Sequence, residues 1–177
     1  YMERYAGKYD AGWDEIRRRR LARQQALGMV DRGVELAPRN PDVEPWEQAP
    51  PAKQALTAKL QETYAAFLEH TDHEIGRFID YLRAIGQLDN TILVLLSDNG
   101  ASAEGGPTGA ISMRTHYTHE PETVEKSVLK TDRLGSEHAY SHYSMGWAQV
   151  SNTPLKWYKK DTHGGGVRAP LIIQWNK

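Results

Sequence analysis

Ile92-Leu93-Val94-Leu95-Leu96, followed at once by Ser97-Asp98-Asn99-Gly100, decides how this 177-residue chain reads. Five apolar residues in a row have no polar alternate, the pattern of a strand covered on both faces, as parallel strands are. Ahead of it, over residues 52–85, apolar side chains such as Leu56, Leu60, Tyr64, Phe67, Phe78 and Leu82 recur at three and four. That spacing predicts one long amphipathic helix, stopped by Gly86. A helix feeding directly into a buried strand implies α/β layers.

Working outward, Pro170-Leu171-Ile172-Ile173-Gln174-Trp175 reads as a second strand of the same sheet, entered from Gly164-Gly165-Gly166. More than 70 residues of mostly irregular character lie between the two runs. One helix is expected there, with Pro121 in its first turn, Val124, Val128 and Leu129 on its apolar side, and Gly135 ending it. Long excursions from the C-terminal end of a strand are where α/β enzymes carry their function. Toward the start, Trp13, Ile16, Arg17, Arg20, Leu21 and Gln24 are spaced for a helix with a thin apolar stripe, and residues 17–20 read as a solvated basic face beside Asp14 and Glu15. Five prolines in residues 37–51 demand an irregular connection, read as a surface crossing.

Hydrophobic content of 39% is enough to bury a core. Lys and Arg number 22 against 23 Asp and Glu, so a net charge of -1 supplies no field to steer the chain toward nucleic acid. No apolar run approaches the roughly 20 residues that span a bilayer. The expected partner is a small molecule. There is no Cys, hence no thiol nucleophile within these residues. The chain opens on Tyr1 with no leader-like segment, so its natural N-terminus is expected further upstream.

Asp98 and Asn99 stand just past the end of the apolar run, at the crevice where open α/β sheets bind ligands. Both offer hard oxygens suited to Ca²⁺ or Mg²⁺, which take at least six, so two residues make a partial site. A hairpin turn at Asn99-Gly100 is the competing reading, but residues 101–107 hold no alternating partner strand. Lys156, Lys159 and Lys160 precede His163 and the three glycines, where an ammonium beside backbone N–H groups can receive an anion; a plain surface cluster is the alternative. His163-Gly164-Gly165-Gly166 also matches the oxyanion loop of lipase-like hydrolases, yet no Gly-x-Ser-x-Gly elbow accompanies it. The pairs His70 and His73, His116 and His119, and His138 and His142 have metal-compatible spacing without a third ligand; solvated or packing roles are expected.

These motifs in this order resemble the bacterial arylsulfatases. The resemblance runs through Gly12-Trp13-Asp14, then Asp72-His73-Glu74-Ile75-Gly76-Arg77, Asp89-Asn90-Thr91 and Ser97-Asp98-Asn99-Gly100-Ala101-Ser102. It continues through Met145-Gly146-Trp147-Ala148, Asn152-Thr153-Pro154-Leu155, and Lys159 to Gly165-Gly166-Val167-Arg168. It implies an alkaline-phosphatase-like α/β sandwich, with a mainly parallel sheet flanked by helices. The activity it implies is hydrolysis of a small sulfate ester. It also implies one divalent cation, most often Ca²⁺, held in part by Asp98 and Asn99. Lys159 would then be the catalytic, sulfate-binding lysine, with His163 a further substrate contact.

The nucleophile implied by the resemblance is a formylglycine, installed by a formylglycine-generating system in a Cys/Ser-x-Pro/Ala-x-Arg motif. No such motif occurs in these residues. The chain therefore reads as an internal part, 1–177, of a sulfatase catalytic domain without its nucleophile segment or C-terminal region, and inactive by itself. Gly164 stands where many members have Glu, which weakens the match of the loop but not of Lys159. A phosphodiester or phosphonate monoester hydrolase of the same superfamily, or a non-catalytic binding relative, is the alternative.

Overall fold

The computed structural model describes residues 1–120 and 122–176, without the side chains of Thr115 and His116. Its elements are α1 (Gly12–Ala26), α2 (Pro51–Ala84), β1 (Leu93–Leu96), α3 (Arg114–Tyr117), α4 (Val124–Val128), α5 (Met145–Ser151), α6 (Gly164–Val167) and β2 (Leu171–Gln174), with short 3₁₀ turns between them. Among the described residues no helix is long and apolar enough to cross a membrane.

The long helix forms as its periodicity dictates: Pro51 fits the first turn, where its missing N–H costs nothing, and Gly86 follows the end at φ +68. Its two halves differ. Leu56, Leu60, Ala65 and Ala66 are buried, whereas Phe67, Leu68, Phe78 and Tyr81 are exposed.

β1 and β2 pair as the sequence suggests, but antiparallel, Leu93 opposite Gln174 and Leu96 opposite Leu171. The reading of 92–96 as a parallel strand covered on both faces is corrected for this pair, since Val94, Leu95 and Leu96 are exposed. An unbroken apolar run records that both faces can be covered; it carries no information on the direction of the hydrogen-bonded neighbour.

The main core is aromatic. Trp147 on α5 is fully buried, edge-on to Trp13 at 5.9 Å, Tyr9 at 5.3 Å and Trp46 at 6.0 Å. Gly12 and Gly146 permit this packing, because a Cβ at either would lie within 2.6 Å of an indole ring. A second cluster joins Leu56 and Leu60 of α2 to Ile111 and Leu134 in the excursion. Sequence periodicity missed α5, whose seven residues make barely two turns and are too short to display a stripe.

Three other expectations are revised. Arg18 and Arg19 do face solvent and pair with Glu15, but Arg17 and Arg20 turn inward and donate to the carbonyls of Ala37 and Val150, because they share the face of Trp13 and Leu21. The proline-rich crossing is irregular as expected, yet it buries Asn40, Val43 and Ala49 against the core. In the excursion, Thr123 caps α4 by accepting from the Lys126 N–H, and Val124 packs inward while Leu129 is exposed; Pro121, assigned to that helix's first turn, lies outside the described residues.

Trp147→Ala leaves an indole-sized void at the junction of α1, α5 and the 3₁₀ turn at Trp46. The expected loss is roughly 3–5 kcal/mol, read as a lower urea midpoint of the intact protein.

Candidate functional site

The strand-end motif and the lysine loop meet through their backbones. Gly100 N–H donates to the Gly166 carbonyl at 2.9 Å, and Ser97 N–H to that of Pro170 at 3.2 Å. No side chain fits between these segments: a Cβ on Gly100 would stand 1.6 Å from the Gly165 oxygen. One residue further on, Ala101 carbonyl accepts from the Lys159 N–H at 2.9 Å. Asn152 closes the link, its Oδ1 accepting from Ala101 N–H at 2.9 Å and its Nδ2 donating to Trp157 carbonyl at 3.0 Å. Residues 58 to 73 apart in sequence thus share one end of the β-ribbon.

Asp98 is exposed, and its carboxylate makes no hydrogen bond or ion pair among the described residues. Asn99 uses Nδ2 to donate to the Gly100 carbonyl at 2.8 Å, which leaves Oδ1 as its open acceptor. Two adjacent hard oxygens without internal partners fit a share of a Ca²⁺ or Mg²⁺ shell. They are only a share: among the described residues there is no cluster of three or more His, Asp or Glu able to hold an ion.

Lys159 does not stand alone. Its Nζ donates to Glu104 Oε2 at 3.1 Å, and Lys160 Nζ lies 3.5 Å from Oε1 of the same carboxylate. Ser102 Oγ donates to Glu104 Oε2 at 2.9 Å, and His142 Nε2 sits 3.2 Å from that hydroxyl. The hydrogen bonds from Lys159 and Ser102, with the lysine charges, hold the Glu104 carboxyl down at about 2. His142 is positioned by a reciprocal pair of backbone hydrogen bonds with Ala110, both 2.9 Å, and by Nδ1 against its neighbour's carbonyl at 2.8 Å.

The predicted glycine nest is revised. Residues 164–167 form a single helical turn, and the N–H groups of Gly165 and Gly166 already donate to the carbonyls of Lys156 and His163. His163 is exposed, stacks on Trp157 at 6.1 Å, and caps that turn through its backbone. Lys156 lies over Trp157, at 6.0 Å from the ring, rather than with Lys159. The histidine pairs separate: His70 packs on Tyr1 and approaches Glu74 at 3.7 Å, His138 is exposed beside Glu137, and His142 alone among the described histidine side chains turns inward. His119 is exposed at φ +58; the side chain of His116 lies outside the described residues.

Sequence reasoning singled out neither Glu104, Ser102 and His142 as a connected group nor Asn152 as the clamp. A carboxylate within a glycine-rich loop six residues past the strand-end aspartate was the available signal.

The strand-end Asp–Asn pair is fastened to the loop that carries Lys159, and comparison with known proteins gives the family. The chain belongs to the sulfatase family, whose model matches residues 1–177. It is 35% identical over 176 residues to an uncharacterized sulfatase of Schizosaccharomyces pombe, covering 99% of this chain and 31% of that protein. It is 33% identical over 174 residues to an arylsulfatase of Klebsiella aerogenes, covering 98% of this chain and 36% of the relative. The chain thus spans about a third of the length of the curated relatives it matches. Membership carries the alkaline-phosphatase-like α/β fold.

Two outcomes follow from this geometry. Gly100→Ala forces the strand end away from residues 165–166 and is expected to destabilise the intact protein by about 1–3 kcal/mol or more, measured by chemical denaturation. The second concerns acid. The folded-state pKa of Glu104 lies below its ordinary 4.5, so its contribution is complete above about 4.5 and is lost as pH falls through about 2. The stability advantage of the parent over Glu104→Gln should therefore be constant above pH 4.5 and shrink toward pH 2, as denaturation midpoints across that range would record.

Proposed function

We propose that this chain carries part of the active site of an arylsulfatase-type sulfuric ester hydrolase. The supporting observation is the clamp that fastens Ala101, three residues past Asp98, to the backbone of Lys159 and, through Asn152, to Trp157. In this reading Asp98 and Asn99 give oxygens to a divalent cation, Ca²⁺ by its preference for such donors. When bound, that cation stabilises charge on the sulfate oxygens. Lys159 donates from its ammonium to the same sulfate, and its backbone anchor keeps the amine from having to reorganise as charge builds. His163, on the same loop, contacts the ester. The nucleophile is a formylglycine contributed from outside these residues and installed by a formylglycine-generating system. β1 and β2 form an antiparallel part of a larger, mainly parallel sheet.

The test is Lys159→Ala in the intact protein, assayed with an aryl sulfate. Losing one preorganised donor to developing charge costs about 3 kcal/mol of barrier, so kcat/KM should fall roughly a hundredfold. A rate within about threefold of the parent would show that Lys159 does not meet the sulfate.

A further inference from the structure

Glu104 is a peculiar neighbour for an anion-binding amine. Its carboxylate lies 3.1 Å from Lys159 Nζ and 3.5 Å from Lys160 Nζ, so two positive charges share one negative charge. Ser102 fixes the carboxylate from a second direction, with Oγ donating at 2.9 Å and also accepting from the Glu104 N–H at 3.2 Å. His142 supports Ser102 in turn. The group is half-buried, built from three separate segments of the excursion, and arranged to keep a negative charge beside the amine rather than to remove one.

That arrangement separates esters by charge. A sulfate monoester carries one negative charge at any working pH, whereas a phosphate monoester loses a second proton near pH 6 and carries almost two at neutrality. A fixed carboxylate within contact of the amine repels the second charge strongly in a half-buried setting. We propose that Glu104 is a specificity-determining residue that sets this site for monoanionic sulfate esters and against dianionic phosphate monoesters. This rests on the reading of Lys159 as the amine that receives the sulfate.

Its carboxyl pKa, held at about 2, keeps Glu104 ionised wherever the enzyme works. Lys159 retains ammonium protons beyond the one given to Glu104, so the carboxylate need not leave for the ester to bind.

The experiment compares 4-nitrophenyl sulfate and 4-nitrophenyl phosphate as substrates of the intact protein at neutral pH. Glu104→Gln, which keeps the shape and removes the charge, should raise the phosphate-to-sulfate ratio of kcat/KM about tenfold. Glu104→Asp, which keeps the charge, should hold that ratio within about threefold of the parent. A merely structural role would lower both activities together; an unchanged ratio in Glu104→Gln would overturn the inference even if both rates fell. A second measurement needs no variant. Methyl phenyl phosphate, a monoanion, should inhibit the parent about tenfold better than phenyl phosphate, and equal or stronger inhibition by the dianion would equally overturn it. Lys159→Ala run alongside separates the two claims. If that change is silent, the anion site is misassigned and this inference falls with it; if it is damaging while the ratio stays fixed, only the role of Glu104 is lost.

Discussion

Two stretches of bare backbone meet at Gly100 and Gly166, and everything near the site is arranged by that contact. The carbonyl of Gly165 comes so close to Gly100 that any side chain there would overlap it. The approach requires a glycine at position 100, and it brings the end of one strand to the start of the other. Asn152 then uses both ends of its amide, one on each loop, so two backbone groups that would otherwise compete for water satisfy each other through a single side chain. The site is held by backbone and amide hydrogen bonds, and its charged side chains remain at the rim.

The polar group around Glu104 shows how such a rim is kept in order. Isolated surface ion pairs contribute little, because two long side chains must be immobilised for a screened attraction. Here Lys159 is anchored by its own backbone and Glu104 by Ser102, so less freedom is left to lose when they meet. The pair is therefore fixed by its surroundings more than by its charge.

Much of this was legible in the sequence. The three-and-four spacing of Leu56, Leu60 and Tyr64 located α2, the run at 92–96 located β1, and 171–174 located its partner. The position of Asp98 and Asn99 beyond a strand followed from that run alone, whereas Lys159 was marked out from its two neighbouring lysines only by family resemblance. What escaped was set by tertiary contact. Strand direction depends on which neighbour supplies the hydrogen bonds, and an apolar run is silent on that. Arg17 is buried and Arg20 half-buried, each donating to a remote carbonyl that the local sequence does not reveal. α5 is buried by aromatic residues brought from α1 and from the 3₁₀ turn at Trp46. His142 and His138 differ by four positions, and only the backbone pairing with Ala110 decides that one faces inward.

The ribbon of β1 and β2 joins segments far apart along the chain, as the packing of Trp147 on Trp13 does over a still longer span. Closing so long a loop has an entropic cost that grows only logarithmically with length, yet it must be met before four residue pairs give anything back. Such long-range contacts weigh on the speed of folding more than on final stability, so the end of the ribbon that carries Asp98 and Asn99 belongs to a topology that is slow to assemble.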